Sequence, residues 1–444
     1  MTVEKSGQND LRDRFLLMLR SIQKRAEFLV RLVEQFSVSG LSFVSLAFLG
    51  RILRNREFAD FVTVQAALVF PQILAAVVWA NPSLVFASKR FASCTRSYST
   101  CLTVLIAVTA FVLSLSILLL CHLVIRPLSF DLVLAAILSA IAWSCYDGCR
   151  RLSYATQAGE RLIHASLALV LIYGGWIITF SWLGKLTATT AYFGLALGAI
   201  AASFISMSHR VASSERRESR ASFSEIVSCH WSYARWSVAS VPPYYMATQG
   251  YLLLGGRLLE DGDLGGLRAA QNIASVLTVV LLTMENRLVP QASIILENED
   301  IGSLIQFIYT VYKKMLIAVV VALPVFVLLN TVGFYFLYSS KYPGSTKLVA
   351  LFTLYQFVNL LSVPAQAAWC AQEKLSVAFL GHLAAAVFAC VLGLPMMVHY
   401  GAIGSVIGFL ISGSAYTSIT VFLLWRQRCM LLAERNSCLH VSRL

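Results

Sequence analysis

From Ser37 onward the chain alternates long apolar blocks with short polar stretches, and each block is close to the roughly 20 residues that a helix needs to cross a bilayer. Twelve such runs occur, at about 37–53, 61–86, 101–125, 128–148, 162–183, 187–208, 236–256, 269–291, 315–338, 347–370, 375–398 and 402–426. Ahead of them, Leu11, Phe15, Met18, Ile22, Ala26, Leu29, Val33 and Phe36 recur at gaps of three and four, which is helical spacing. Arg12, Arg14, Arg20, Lys24, Arg25 and Arg31 fill the other face. This predicts a basic amphipathic helix lying on an anionic inner leaflet. The longest later polar stretch, from Ser208 to about Tyr233, is rich in Ser and Arg and divides the runs six and six.

Two segments 206 positions apart read alike without a gap: GRILRNREFADFVTVQ from Gly50 and GRLLEDGDLGGLRAAQ from Gly256. Gly50/Gly256, Arg51/Arg257, Leu53/Leu259 and Gln65/Gln271 are identical. A second ordered match sets AGERL from Ala158 against AQEKL from Ala371. Six spans per half is an even number, so both halves begin on the same side and the repeat is parallel, about an axis along the membrane normal. Pro71, Pro82, Pro242, Pro243, Pro290 and Pro364 interrupt spans and free backbone carbonyls that need other partners.

Composition agrees with a bilayer setting: of 444 residues 58% are hydrophobic and 13% charged, against roughly 25% charged in soluble domains. The net charge of +13 is spread between apolar runs, with no continuous basic face, which argues against nucleic acid. Lys89, Arg90, Arg96, Arg150, Arg151, Arg161, Arg210, Arg216, Arg217, Arg220, Arg426 and Arg428 share one side if the N-terminus is cytoplasmic. The positive-inside rule then places both termini in the cytoplasm. The N-terminus lacks the pattern of a cleavable signal peptide, and the ten cysteines lack zinc spacing and read as free thiols. No catalytic constellation, phosphate loop or metal-ligand cluster stands out, so no catalytic residue, metal or cofactor is expected.

A charge inside hydrocarbon costs at least about 2.5 kcal/mol and persists only with a partner or a polar cavity. Five such residues are candidate substrate-binding groups. Arg51 and Arg257 are repeat partners after the first and seventh spans, Arg268 begins the eighth, and Glu285 and Arg287 lie near its end. Guanidinium groups suit phosphate because their donors form a permanent charged fork. Headgroup snorkelling is the ordinary alternative for Arg51 and Arg257. Trp79, Tyr244, Tyr245, Tyr251, Tyr355 and Trp369 are candidates for stacking on sugar rings, though such residues are more often packing or interface residues.

The pattern resembles the polysaccharide-biosynthesis flippases, the Wzx-like branch of a superfamily that also holds MATE antiporters and lipid II flippases. The resemblance rests on SLAFLGRILRNREFADFVTVQ, GYLLLGGRLLEDGDLGGLRAAQNI running to RLVPQAS, AAWCAQEKLSVAF and HYGAIGSVIGFLIS. It implies an all-α, polytopic membrane fold of two six-helix lobes around a cationic cavity in the cytoplasmic (inner) membrane, with Arg287 the strongest carried-over site residue. The expected cargo is an isoprenoid-pyrophosphate-linked oligosaccharide for O-antigen, capsule or exopolysaccharide. Membrane lipids, a polysaccharide polymerase, glycosyltransferases and a coupling ion are the further partners considered. The expected organisation is a basic N-terminal segment 1–36, an N-lobe 37–208, a cytoplasmic linker 209–235, a C-lobe 236–426 and a tail 427–444. Competing readings are a MATE-like cation-coupled exporter, a lipid II flippase and a non-transporting scaffold. The first needs carboxylates within the first lobe, where only Asp131 and Asp147 near span ends are expected.

Overall fold

The computed structural model describes residues 33–87, 89–155, 159–208, 222–338 and 341–441. Of the amphipathic segment predicted over 11–36, residues 11–32 lie outside the described residues, as do residues 209–221 of the linker predicted over 209–235. Among those described, helices follow one another without strands. The N-lobe holds α1 (Val33–Ile52), α2 (Asn55–Phe86), α3 (Ala92–Ile125), α4 (Phe130–Ala155), α5 (Gly159–Trp182) and α6 (Ala188–Ser208). The C-lobe holds α7 (Phe223–Leu258), α8 (Asp261–Ala274), α9 (Leu277–Asn298), α10 (Ile301–Tyr338), α11 (Thr346–Ala371), α12 (375–400) and α13 (402–441). Ten stretches are long and apolar enough to cross a membrane. One of them, Ser376–Met430, is two helices, since Gly401 at φ 60° and ψ −134° breaks it. With α7, and with α8 and α9 taken as one interrupted span, the twelve predicted segments are accounted for.

The sequence repeat is a structural repeat. α1 ends at Ile52 and α7 at Leu258, while α2 starts at Asn55 and α8 at Asp261. Both pairs keep the offset of the Gly-Arg motifs, so the two lobes reuse one helix–turn–helix unit. Each lobe packs through small residues, as helices in lipid do. In the N-lobe Ala135, Ala136 and Ala140 of α4 and Ala191, Ala199 and Ala202 of α6 are all fully buried. The outward faces stay apolar, as Ile317, Val320, Val321 and Leu328 of α10 show.

Two boundaries differ from expectation. Residues 223–235, read as linker, form the first turns of α7, and α13 extends through the predicted tail to Val441. The apolar count missed the start of α7 because its polar side chains are satisfied by protein: Glu225 pairs with Arg90 at 3.0 Å and His230 is buried. The nine described cysteines are thiols outside any disulfide, as expected.

Candidate functional site

The two lobes touch at the end of the bundle that carries the Gly-Arg motifs. A Cβ on Gly256 would stand 2.6 Å from Thr63 Oγ1 of α2, so only glycine permits this approach. Arg126, at the end of α3, bridges the lobes by pairing with Asp60 of α2 and Asp261 of α8, each at 2.9 Å. Lys341, between α10 and α11, donates to the carbonyl oxygens of Gly50, at 2.8 Å, and Leu53, and Tyr342 donates to Gly50 O at 3.0 Å. These bonds occupy carbonyls that the end of α1 leaves open. Burial lowers the Lys341 ammonium to about 8, against a smaller opposing pull from Glu57. A neutral amine still has two N–H groups, one for each carbonyl. Arg257 is exposed and donates to Val124 O at 2.6 Å; Arg51 is exposed beside it in the repeat.

Deeper in the interface Arg268 of α8 joins the two repeat-equivalent glutamines. Its Nη2 donates to Gln65 Oε1 at 3.0 Å and its Nη1 to Gln271 Oε1 at 2.5 Å. Its Nε is buried without a hydrogen-bond partner, and no carboxylate pairs with it among the described residues. Asn272, one residue on, donates to Phe43 O of α1 at 3.2 Å. The motif that revealed the duplication therefore ends on a single buried cation shared by both copies.

The seam between α2 and α7 continues to the opposite end, and a proline explains how. Pro82 has no N–H, so Val78 O loses its helical donor. His230 of α7 supplies one through Nδ1 at 3.1 Å. A carbonyl can only accept, so Nδ1 carries the proton and Nε2 accepts from Tyr98 OH at 2.9 Å. The repeat-equivalent seam, between α1 and the α8–α9 pair, has no such bolt: among the described residues its hydrogen bonds stop at Asn272 and Phe43. Most of α9 is uncovered, with Leu277, Leu288 and Ala292 its buried residues.

Arg287 lies on that uncovered helix. It lines a cavity of about 500 Å³ between α9, α10 and α11, with Met284, Gln291, Val311, Met315, Phe326 and Phe357 among the walls. Lys314 of α10 lines it too, and these two are the charged residues of its lining. Arg51, Arg257, Arg268 and Glu285 are not part of it. Glu285 is two residues from Arg287 and so falls on another face of α9. The five predicted residues thus divide between the Gly-Arg end (Arg51, Arg257), the lobe interface (Arg268) and α9 (Glu285, Arg287). Lys314, which completes the groove, gave no sequence signal beyond a basic pair with Lys313 at the edge of an apolar run.

The N-lobe holds a different cavity. It measures about 190 Å³, lies among α1, α2, α4, α5 and α6, and is lined by Gln65, Gln72, Ser139, Trp143, Tyr173 and Tyr192 among others. No charged side chain lines it. The aromatic residues proposed from sequence are mostly elsewhere and engaged: Trp79 donates to Thr109, Tyr245 to Ala66 O and Trp369 to Thr420 O. Below, the first lobe contains more acid than expected. Glu34, assigned from sequence to the surface segment 1–36, is 0% exposed at the start of α1. It accepts from Tyr154 and pairs with Arg150 at 3.5 Å, while Asp147 holds Arg151 at 2.8 Å. Arg151 also donates to Asn81 at 2.5 Å. Asn81 is the repeat counterpart of Arg287, so the N-lobe brings a guanidinium to the same position from α4. Glu34 and Asp147 are thus committed to arginines. No His, Cys, Asp and Glu group suited to a metal occurs among the described residues.

No protein-family model matches the chain, and no curated protein sequence matches it. Solved structures match in fold. One is the inward-facing conformation of a multidrug resistance MATE family transporter of the MOP superfamily, at TM-score 0.70 and 12% identity over 91% of this chain and 99% of that one. A MOP superfamily transporter from Pyrococcus furiosus matches at TM-score 0.53 and 12% identity over 90% and 96%. The lipid II flippase MurJ in an inward closed conformation matches at 0.55 and 11% over 89% and 87%. The chain is a multi-pass, all-helical membrane protein with the two-lobe fold of these transporters.

Proposed function

We propose that the chain is a flippase that moves an isoprenoid-pyrophosphate-linked oligosaccharide across the inner membrane by alternating access, for surface polysaccharide assembly. The observation that carries this reading is the α9–α11 groove, apolar along its walls and charged through Arg287 and Lys314 alone. An apolar wall suits a hydrocarbon chain and guanidinium suits a pyrophosphate. A cationic drug would find repulsion there, and the first lobe's described inner acids, Glu34 and Asp147, are bound to Arg150 and Arg151. The likeness to a lipid II flippase and to an inward-facing transporter supports the same reading.

With the N-terminus in the cytoplasm, the Gly-Arg end is the outer one. The lobes are then closed outside by Arg126, Lys341 and Gly256, and the seam between α1 and α9 is the entry from the inner leaflet. Deleting the gene tests the function: surface polysaccharide is expected to fall and lipid-linked precursor to accumulate inside, and Arg287→Ala at normal expression is expected not to restore export. A deletion that leaves surface polysaccharide intact and lowers drug tolerance would overturn the proposal.

A further inference from the structure

The uncharged cavity of the N-lobe carries unspent hydrogen-bonding groups. Gln65 gives its Oε1 to Arg268, which fixes the amide so that its NH2 group is left over. That NH2, the Gln72 amide and the Trp143 indole N–H have no hydrogen-bond partner among the described residues, and all three residues line the cavity. Left dry and unpaired each such group would cost about 1–3 kcal/mol, so these groups call for a polar partner in a cavity whose other walls, Leu41, Leu68, Val69 and Leu195 among them, are apolar. A small cation is disfavoured, because no carboxylate lines the walls and Arg268 stands behind Gln65. A phosphate is disfavoured too, since no cation lines them.

Neutral donors and acceptors alongside the aromatic residues Trp143 and Tyr173 match a polyhydroxylated ring, whose hydroxyls both donate and accept and whose C–H faces pack on aromatics. The volume, about 190 Å³, is below the roughly 300 Å³ at which drug-sized sites begin, so it suits one ring rather than an oligosaccharide. We infer that the N-lobe cavity is a monosaccharide subsite that receives one sugar ring of the lipid-linked cargo, apart from the lipid-phosphate groove of the C-lobe. This rests on the flippase reading and adds to it a division of labour: one lobe for sugar, the other for carrier lipid.

The test uses the full-length protein in nanodiscs and native mass spectrometry. The probes are undecaprenyl pyrophosphate and its glucosyl, galactosyl and N-acetylglucosaminyl forms. At least one sugar form is expected to bind tenfold or more tighter than the bare carrier. In Gln72→Leu and in Ser139→Leu, each checked for wild-type elution and thermal stability, that gain is expected to fall below twofold while bare-carrier affinity stays within twofold. If no sugar form binds tighter than the bare carrier, or the gain survives in both variants, the subsite is wrong. If the bare carrier itself fails to bind the wild-type protein, the flippase reading fails instead.

Discussion

Arg268 donates to Gln65 across the lobe interface at 3.0 Å, and the same guanidinium holds Gln271, which the internal repeat pairs with Gln65. A charged donor that reaches both copies of one motif ties both lobes to a single point. Because hydrogen bonds to charged groups contribute about 1.5–3 kcal/mol, Gln65→Ala is expected to lower unfolding free energy by that amount. Gln65→Ala with Gln271→Ala is expected to cost more than either change alone. Thermal unfolding in detergent checks this, and a double variant as stable as the wild type would remove Arg268 from its assigned role.

The bond network around Pro82 predicts a reversal. His230→Ala leaves Val78 O without a donor, at about 1–3 kcal/mol. Adding Pro82→Ala returns a backbone N–H to that carbonyl, so the double variant is expected to recover part of the loss. Unfolding midpoints of the two single variants and the double variant, compared as a cycle, measure the recovery.

Lys341 makes closure of the Gly-Arg end depend on pH. Closed, its ammonium titrates near 8; released into water, near its ordinary value of 10.5. The open state therefore binds more proton in this window, and raising pH favours the closed state, with the gain accumulating between about 8 and 10.5. Spin labels on the ends of α1 and α10 nearest the Gly-Arg motifs are expected to report more of the short distance at pH 9 than at pH 7. Lys341→Met is expected to flatten the dependence.

The approach of Gly256 to Thr63 predicts a steric switch. Gly256→Val is expected to push the lobes apart at this end, seen as longer label distances there, and Thr63→Gly is expected to relieve it in part.

Most of the fold is legible in the sequence because spans and repeats leave long signals. The offset between Gly50 and Gly256 recurs in the helix ends at Ile52 and Leu258. What the sequence hides depends on partners distant in the chain. Glu34 looked like a surface residue because its partners, Arg150 and Tyr154, lie over 100 positions away. The start of α7 looked like linker because its polar residues meet Arg90 and Tyr98. Arg287 was visible as a charge within a span, but its company was not: Lys314 belongs to another helix, and the cavity between them exists only once α9 and α10 are placed. Trp143 and Gln72 carried no pattern of their own, since a polar pocket assembled from five helices leaves no spacing to find.

In the proposed function an anionic carrier lipid moves through the groove of Arg287 and Lys314. Its most direct test is flipping of a fluorescent undecaprenyl-pyrophosphate saccharide in proteoliposomes, read by quenching of the outer leaflet. The wild-type protein is expected to speed exchange well above empty vesicles, and Arg287→Gln with Lys314→Gln, folded and at equal density, to lose at least tenfold of that rate. A doubly neutralised variant flipping at the wild-type rate would contradict the account.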